Sequence, residues 1–181
     1  MTGSVFLVTG ASASGKTTVG RLLAERFPLS AFVEGDVMWR MVVNGREDIT
    51  PAATDEAVRQ LQLRYRHGAF VADSYASAGF VAVHADIVLE NDLLGYPGRI
   101  EMRPLYIVML RPRADVVATR ERGRGTRAYR NWESIDEGVA AFDEYLDRSP
   151  RLGLWLDTSE QSPGETVDEI LARLDEALIS E

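Results

Sequence analysis

The sequence predicts an α/β domain: a five-stranded parallel sheet in a three-layer sandwich, with helices on both faces. Three observations carry that expectation. Short apolar runs of strand length alternate along the chain with segments of helical spacing. Two of the runs, 80–84 and 105–110, are apolar at nearly every position, as strands covered on both faces are. The first run, 4–9, ends in a glycine-bounded turn that opens directly onto a helix.

The elements follow in order. After the strand over 4–9, the spacing of Val19, Leu22, Leu23 and Phe27 predicts a helix over 17–27. A short strand over 31–34 leads into a polar turn at Gly35-Asp36 and a brief helix to 43. Thr50 offers an N-cap with Pro51 at the first helical position, opening a long helix carried to about 78 and ended by Gly79. The strands over 80–84 and 105–110 flank an irregular stretch containing Pro97 and Gly98. Helices are expected over 113–122 and 135–146, on either side of the Gly- and Arg-rich segment 123–131. The last strand is 154–157, after which Ser162, Pro163 and Glu165 form an N-cap, a proline at N1 and a capping-box glutamate before a terminal amphipathic helix.

At 181 residues the chain suits a single domain with a real core. Its net charge of −8 argues against nucleic acid as a partner, because counterion release needs clustered cations. The charge is uneven: residues 99–130 carry nine Arg against three acids, whereas 131–181 carry fourteen acids against three Arg. With no cysteine, disulfides, thiolate metal sites and thiol nucleophiles are excluded. That composition, with neither a signal-peptide start nor an apolar run of membrane-spanning length, makes the cytoplasm the expected location and no membrane an expected partner.

The strongest motif is Gly10-Ala11-Ser12-Ala13-Ser14-Gly15-Lys16-Thr17, a full match to the P-loop pattern G-x-x-x-x-G-K-[ST] between a strand and a helix. Small residues let the backbone wrap a phosphate so that several N–H groups and the helix N-terminus point at it. Residues 10–18, through Thr18, are expected to cradle ATP, with Lys16 at the β- and γ-phosphates and the Thr17 hydroxyl on Mg²⁺. Lys16 is the only lysine among twenty basic residues, so no other lysine can take its role.

In α/β sheets, ligands bind beyond the carboxyl ends of the strands. Asp36, after the second strand, is placed to accept a substrate hydroxyl proton or to orient Mg²⁺ through water, and it is also a natural helix N-cap. Arg40 would share its helix face and hold the acceptor, or form a surface ion pair. Asp86, after the third strand, is the Walker-B candidate for the metal, two residues later than ideal; the alternative is a metal held by Thr17, water and phosphate oxygens. His84 is read evenly as a substrate contact or as a structural residue. In the segment 120–131, two glycines among five arginines describe a lid whose cations close over phosphates. Arg120 and Arg127 are the expected phosphate contacts, Arg124 a nucleotide contact, and Arg122 faces solvent. The loop from Asp157 to Pro163 is suited to a place beside the adenine ring.

The order of these features resembles the small P-loop kinases of metabolites and nucleotides, and in detail the chloramphenicol phosphotransferase and tunicamycin-resistance group. The resemblance rests on residues 10–18, Gly35-Asp36 with Arg40, the segment 120–129 and Leu152-Gly153-Leu154-Trp155-Leu156-Asp157-Thr158. It spans essentially the whole chain, although only the P-loop is highly specific. It implies a P-loop NTPase fold of nucleoside-kinase type and ATP-dependent phosphorylation of a small-molecule hydroxyl, with Asp36 matching the catalytic base.

Two other functions share these features. A nucleotide or polynucleotide 5′-hydroxyl kinase would also use a basic lid. A regulatory nucleotide switch would need to read its base, and the guanine-reading Asn-Lys-x-Asp sequence is impossible in a chain whose only lysine is Lys16. The acceptor, an antibiotic or nucleoside-like compound in the leading reading, is expected to meet residues 36–78 and 87–103. The aromatics Tyr65, Phe70, Tyr75 and Tyr96 there read first as packing residues and second as a pocket lining.

Overall fold

The computed structural model describes residues 3–124 and 128–180. In chain order the elements are β1 (Ser4–Gly10), α1 (Lys16–Glu25), β2 (Ser30–Glu34), α2 (Gly35–Arg40), α3 (Asp55–Ser77), β3 (Val81–Ala85), α4 (Glu90–Gly95), a 3-10 turn (Tyr96–Arg99), β4 (Leu105–Leu110), α5 (Ala114–Arg124), α6 (Ile135–Arg148), β5 (Leu154–Leu156), α7 (Pro163–Ala172) and α8 (Leu174–Ala177). The five strands form one parallel sheet in the order β2-β3-β1-β4-β5. β1 therefore lies at its centre, and the chain reverses its winding there.

Alternation within the apolar strands builds the two core layers. Val5 and Leu7 of β1, with Leu105, Ile107 and Met109 of β4, face a layer that includes Tyr65, Ala69 and Ala72 of α3 and Leu146 of α6. Phe6 and Val8, with Tyr106, Val108 and Leu110, face Val19 and Leu23 of α1 and Val167 and Ile170 of α7. Every residue of β1 and β4 is buried, which is why these strands carry no polar alternation.

Two boundaries differ from the sequence expectation. The long helix begins at Asp55 and is capped by Thr54, not Thr50, with the Thr54 hydroxyl accepting from the Ala57 amide at 3.0 Å. Buried Gln60 decides this: its side chain donates to the Gly45 carbonyl at 2.7 Å and accepts from the Glu47 amide at 3.0 Å. Holding residues 45–47 against α3 requires the residues before Thr54 to be a loop. The stretch expected to be irregular contains α4 and the 3-10 turn, with Leu93 and Tyr96 fully buried. Those elements are too short to show a helical period. The caps of α6 (Ser134) and α7 (the Ser162–Glu165 box) form as the residues imply.

The entry into β5 depends on a close approach. Gly153 has φ +71°, and a Cβ there would lie 2.3 Å from the Ile107 carbonyl oxygen. Gly153→Ala is expected to destabilise the fold by about 2 kcal/mol through this clash and the strained backbone. Urea unfolding checks this; an unchanged midpoint would contradict it.

Candidate active site

β1 delivers the phosphate loop at the middle of the sheet's carboxyl edge. Gly10 leaves the strand with φ 146°, and a Cβ at that position would lie 2.3 Å from the Leu110 carbonyl oxygen of β4, so no other residue fits. Ala13 (φ 60°) and Gly15 (φ 104°) continue the turn in left-handed backbone, and α1 starts at Lys16 with no side-chain cap. The N-terminal amides of α1 are left without a side-chain acceptor, as an anion-binding helix start requires. On the far side, the Tyr129 hydroxyl donates to the Ser12 carbonyl at 2.9 Å, and the Tyr129 ring packs with Trp132 and Phe142.

Lys16 folds back over the loop, donating to the Ala11 carbonyl at 2.6 Å. Loss of hydration among the surrounding protein atoms lowers its pKa from 10.5 to about 8, with Asp86 and Asp36 opposing the shift and Arg64 and Arg124 adding to it. These contributions show that Lys16 shares its field with two carboxylates and two guanidinium groups from four other parts of the chain.

Beside the loop, a cavity of about 280 Å³ opens between Ser14, Thr18, Arg120, Arg124, Thr158 and Pro163. The Arg120 guanidinium crosses it, donating to the Thr158 carbonyl at 2.9 Å and to the Ser14 carbonyl at 3.4 Å. The buried hydroxyls of Ser14 and Thr158, two residues lining the cavity, have no partner among the described residues. The cavity adjoins both the loop and the β5–α7 connection, the two places where the sequence expects the phosphates and the base of a nucleotide. The remaining arginines of the basic segment are otherwise engaged. Arg111 pairs with Asp143 and Asp147, Arg113 with Glu160, Arg122 with Asp136 and Arg130 with Asp48. The local positive charge is thus largely neutralised by acids distant in sequence, while Arg120 and Arg124 remain directed at the cavity. Arg127, the other expected phosphate contact, lies outside the described residues, as do Gly125 and Thr126 of the expected lid.

The opposite side of the loop is built by the ends of β2 and β3. Asp36 sits in the first turn of α2 with its side chain 56% exposed, and Arg40, at the other end of that helix, is exposed and has no ion pair among the described residues. Asp86 follows β3 directly and is buried; its carboxylate accepts a two-pronged contact from Arg64 of α3 and the Ile87 amide. The same Arg64 Nη2 stands 3.0 Å from Asp36 Oδ1. Among the described residues no cluster of three or more His, Asp or Glu could hold a metal alone. The carboxylate nearest the expected metal ligand is Glu34, the last residue of β2, whose Oε1 accepts from the Thr17 hydroxyl at 3.4 Å. Thr17 and Glu34 together are hard oxygen donors of the kind Mg²⁺ takes alongside nucleotide phosphates and water.

His84 does not reach the site. It is fully buried on β3, its Nδ1 is 2.8 Å from the Tyr96 hydroxyl, and burial lowers its pKa to about 4, which keeps the ring neutral. This is the packing that the structural reading of His84 expects: inward-facing β3 side chains lie under α3, where Gly68 leaves room for the ring. Tyr65 and Tyr96 are likewise core residues, while Phe70 and Tyr75 lie exposed on α3. Two site residues were not singled out from sequence. Glu34 carried a signal, a carboxylate ending a strand two residues before Asp36. Arg64 carried none, since its partners are distant in sequence.

No family model matches the chain, and no curated protein matches it in sequence. Solved structures do match. The chain is similar to a sugar kinase from Janibacter sp. HTCC2649, with 23% identity over 96% of this chain and 95% of that one and a TM-score of 0.67. It is similar to a gluconokinase from Sinorhizobium meliloti 1021, with 23% identity over 95% and 91% and a TM-score of 0.65. It is also similar to the tunicamycin resistance protein of Deinococcus radiodurans, with 16% identity over 98% and 99% and a TM-score of 0.65. At these identities the likeness is one of fold: an α/β three-layer sandwich of the nucleoside-kinase type, shared with P-loop kinases of small molecules. No helix among the described residues is long and apolar enough to cross a membrane.

If Lys16 meets the phosphates as the sequence expects, nucleotide binding should depend on pH. Below a pH of about 8 the ammonium is charged both free and bound; above it, the free protein holds a neutral amine that bound phosphates would recharge. ATP binding is expected to take up close to no proton at pH 7 and up to about one at pH 9, with affinity falling as pH rises. Calorimetry in buffers of different ionisation enthalpy measures this, and an uptake that stays flat across that range would contradict it.

Proposed function

We propose that the chain is an ATP-dependent phosphotransferase that moves the γ-phosphoryl group of ATP to a hydroxyl of a small molecule. The observation that carries this is the convergence of Lys16, Thr17, Glu34 and Asp36 at the carboxyl ends of β1 and β2. It sets a nucleotide cavity on one side of the phosphate loop and an exposed carboxylate on the other. The similar fold of a sugar kinase and a gluconokinase supports the reading.

In the step this implies, the acceptor hydroxyl oxygen bonds to the γ-phosphorus as the bond from that phosphorus to the β,γ-bridging oxygen breaks. The electron pair leaves with ADP, and the hydroxyl proton passes to Asp36 and then to water. The loop amides and Lys16 hold the transferring group, and Arg120 and Arg124 add positive charge from the nucleotide side. Mg²⁺, when bound with ATP, would lie by Thr17 and Glu34 and spread the phosphate charge. Arg40, the unpaired cation on the helix that carries Asp36, is assigned to the acceptor. An antibiotic or nucleoside-like acceptor is the narrower reading, supported by the similarity to the tunicamycin resistance protein. A small molecule handled in solution also fits a cytoplasmic enzyme.

A screen of ATP consumption over sugars, sugar acids, nucleosides and antibiotics tests the reading. At least one acceptor should accelerate ADP release well above the rate with water. Intact ATP binding with no acceptor found would favour a regulatory nucleotide-binding role. Asp36→Asn should lower kcat by about 10²-fold or more and leave ATP affinity within about threefold. Steady-state kinetics with equilibrium binding measures both; a near-normal kcat would remove Asp36 from the role of base.

A further inference from the structure

We infer that Arg64 is the positioning residue for Asp36, and that Asp86 serves as the buried anchor of Arg64 in place of a metal ligand. The inference rests on the reading of Asp36 as the base and adds the device that aims it.

Asp86 is spoken for on every side. Its Oδ2 accepts from Arg64 Nε at 2.9 Å, while its Oδ1 accepts from Arg64 Nη2 and from the Ile87 amide at 2.7 Å. Its own amide donates to the Val8 carbonyl of β1 at 3.3 Å. Its side chain is 0% exposed. Gly35 packs directly on it, and Gly68 packs on the His84 ring beside it. A Cβ on Gly35 would lie 2.1 Å from the Asp86 carboxyl carbon, and a Cβ on Gly68 would lie 2.4 Å from Nε2 of His84, the ring that stands 3.8 Å beneath that carboxylate. Because Gly35 immediately precedes Asp36, the close packing that buries Asp86 also fixes where α2 begins.

A two-pronged guanidinium–carboxylate contact holds the arginine plane in one orientation. Arg64 is held this way by Asp86, with only 15% of its side chain exposed, and its Nη2 reaches on to Asp36 Oδ1 at 3.0 Å. Neutralising buried Asp86 does not require that second contact, since Nε and Nη2 already face it. Nor does it add much stability, because Asp36 is more than half exposed and such pairs are weak. Its consequence is geometric. An exposed aspartate at a helix start samples several rotamers, and a guanidinium held rigidly 3.0 Å away favours the one that forms the ion pair. A displacement of a reacting group by about 1 Å can cost on the order of 10²-fold in rate, so a fixed cation beside the base bears directly on turnover.

Removing Arg64 alone leaves a buried carboxylate unpaired, which can unfold the protein; the informative variant is therefore the pair Arg64→Gln with Asp86→Asn, which removes both charges together. With the acceptor found by screening, or with water as acceptor and ADP release as readout, this double variant should show kcat lowered about 10²-fold and KM for ATP within about threefold. In an Asp36→Asn background the same pair should lower kcat little further, because residues acting through one another are not additive. Recovery of wild-type kcat in the double variant would show that Arg64 only neutralises Asp86. Full additivity with Asp36→Asn would show that it acts elsewhere. A second arm needs no turnover: in protein with ¹⁵N-labelled arginine, the side-chain signals missing from Arg64→Lys identify Arg64. Asp36→Asn should shift its Nη resonance while the Nε resonance facing Asp86 stays in place. Unmoved Arg64 signals would overturn the pairing even if no acceptor were ever phosphorylated, a result that would count separately against the proposed function.

Discussion

Gly10 meets the Leu110 carbonyl of β4 so closely that a side chain at that point would displace the neighbouring strand. The rest of the site follows from this contact. The chain must turn over the end of β4 as it leaves the sheet, and the turn it makes, through Ala13 and Gly15 in left-handed backbone, aims the loop amides inward and starts α1 on bare N–H groups. Because β1 is the central strand, its neighbours β3 and β4 and the more distant β2 and β5 all end on the same edge, in parallel. The carboxylates after β2 and β3, the cavity beside the loop and the arginines of α5 are brought together by that shared direction.

Electrostatics then sort the edge into two halves. On the nucleotide side, α5 presents Arg120 and Arg124, while most arginines around it are matched by acids of α6 and the C-terminal region. Several arginines of a segment that is strongly basic as a string of residues are thereby balanced in space, while Arg120 and Arg124 line the cavity. On the acceptor side, two aspartates and Arg64 interlock, and Lys16 lies within the field of all three. Lys16 has a lowered pKa because burial outweighs those carboxylates.

The contrast between His84 and Glu34 shows how a strand's pleat sorts chemistry. Both belong to strands ending at the site, but His84 faces the layer under α3 and is sealed there with Tyr96, whereas Glu34 ends β2 beside Thr17. One residue of difference along a strand reverses the side on which a side chain stands. A histidine near a strand end is therefore weak evidence of function until its face is known.

Much of this was legible in the chain itself. The phosphate loop is a local feature: its glycines, Lys16 and Thr17 act through backbone geometry set within eight residues, and they read the same in sequence and in space. The parallel sheet was also legible, because strands buried on both faces must be apolar throughout, and the Ser162–Glu165 cap of α7 follows from side chains bonding to nearby backbone. The tertiary structure decided what depends on partners far along the chain. Thr54 capped α3 because Gln60 grips residues 45–47. Asp86 met Arg64, 22 residues away, and became an enclosed anion with its oxygens engaged. Arg111, Arg113, Arg122 and Arg130 were matched with distant acids, while Arg120 and Arg124 line the cavity. Such pairings leave no periodic or local mark, because a carboxylate and a guanidinium attract equally well at any sequence separation and only the fold chooses which ones meet.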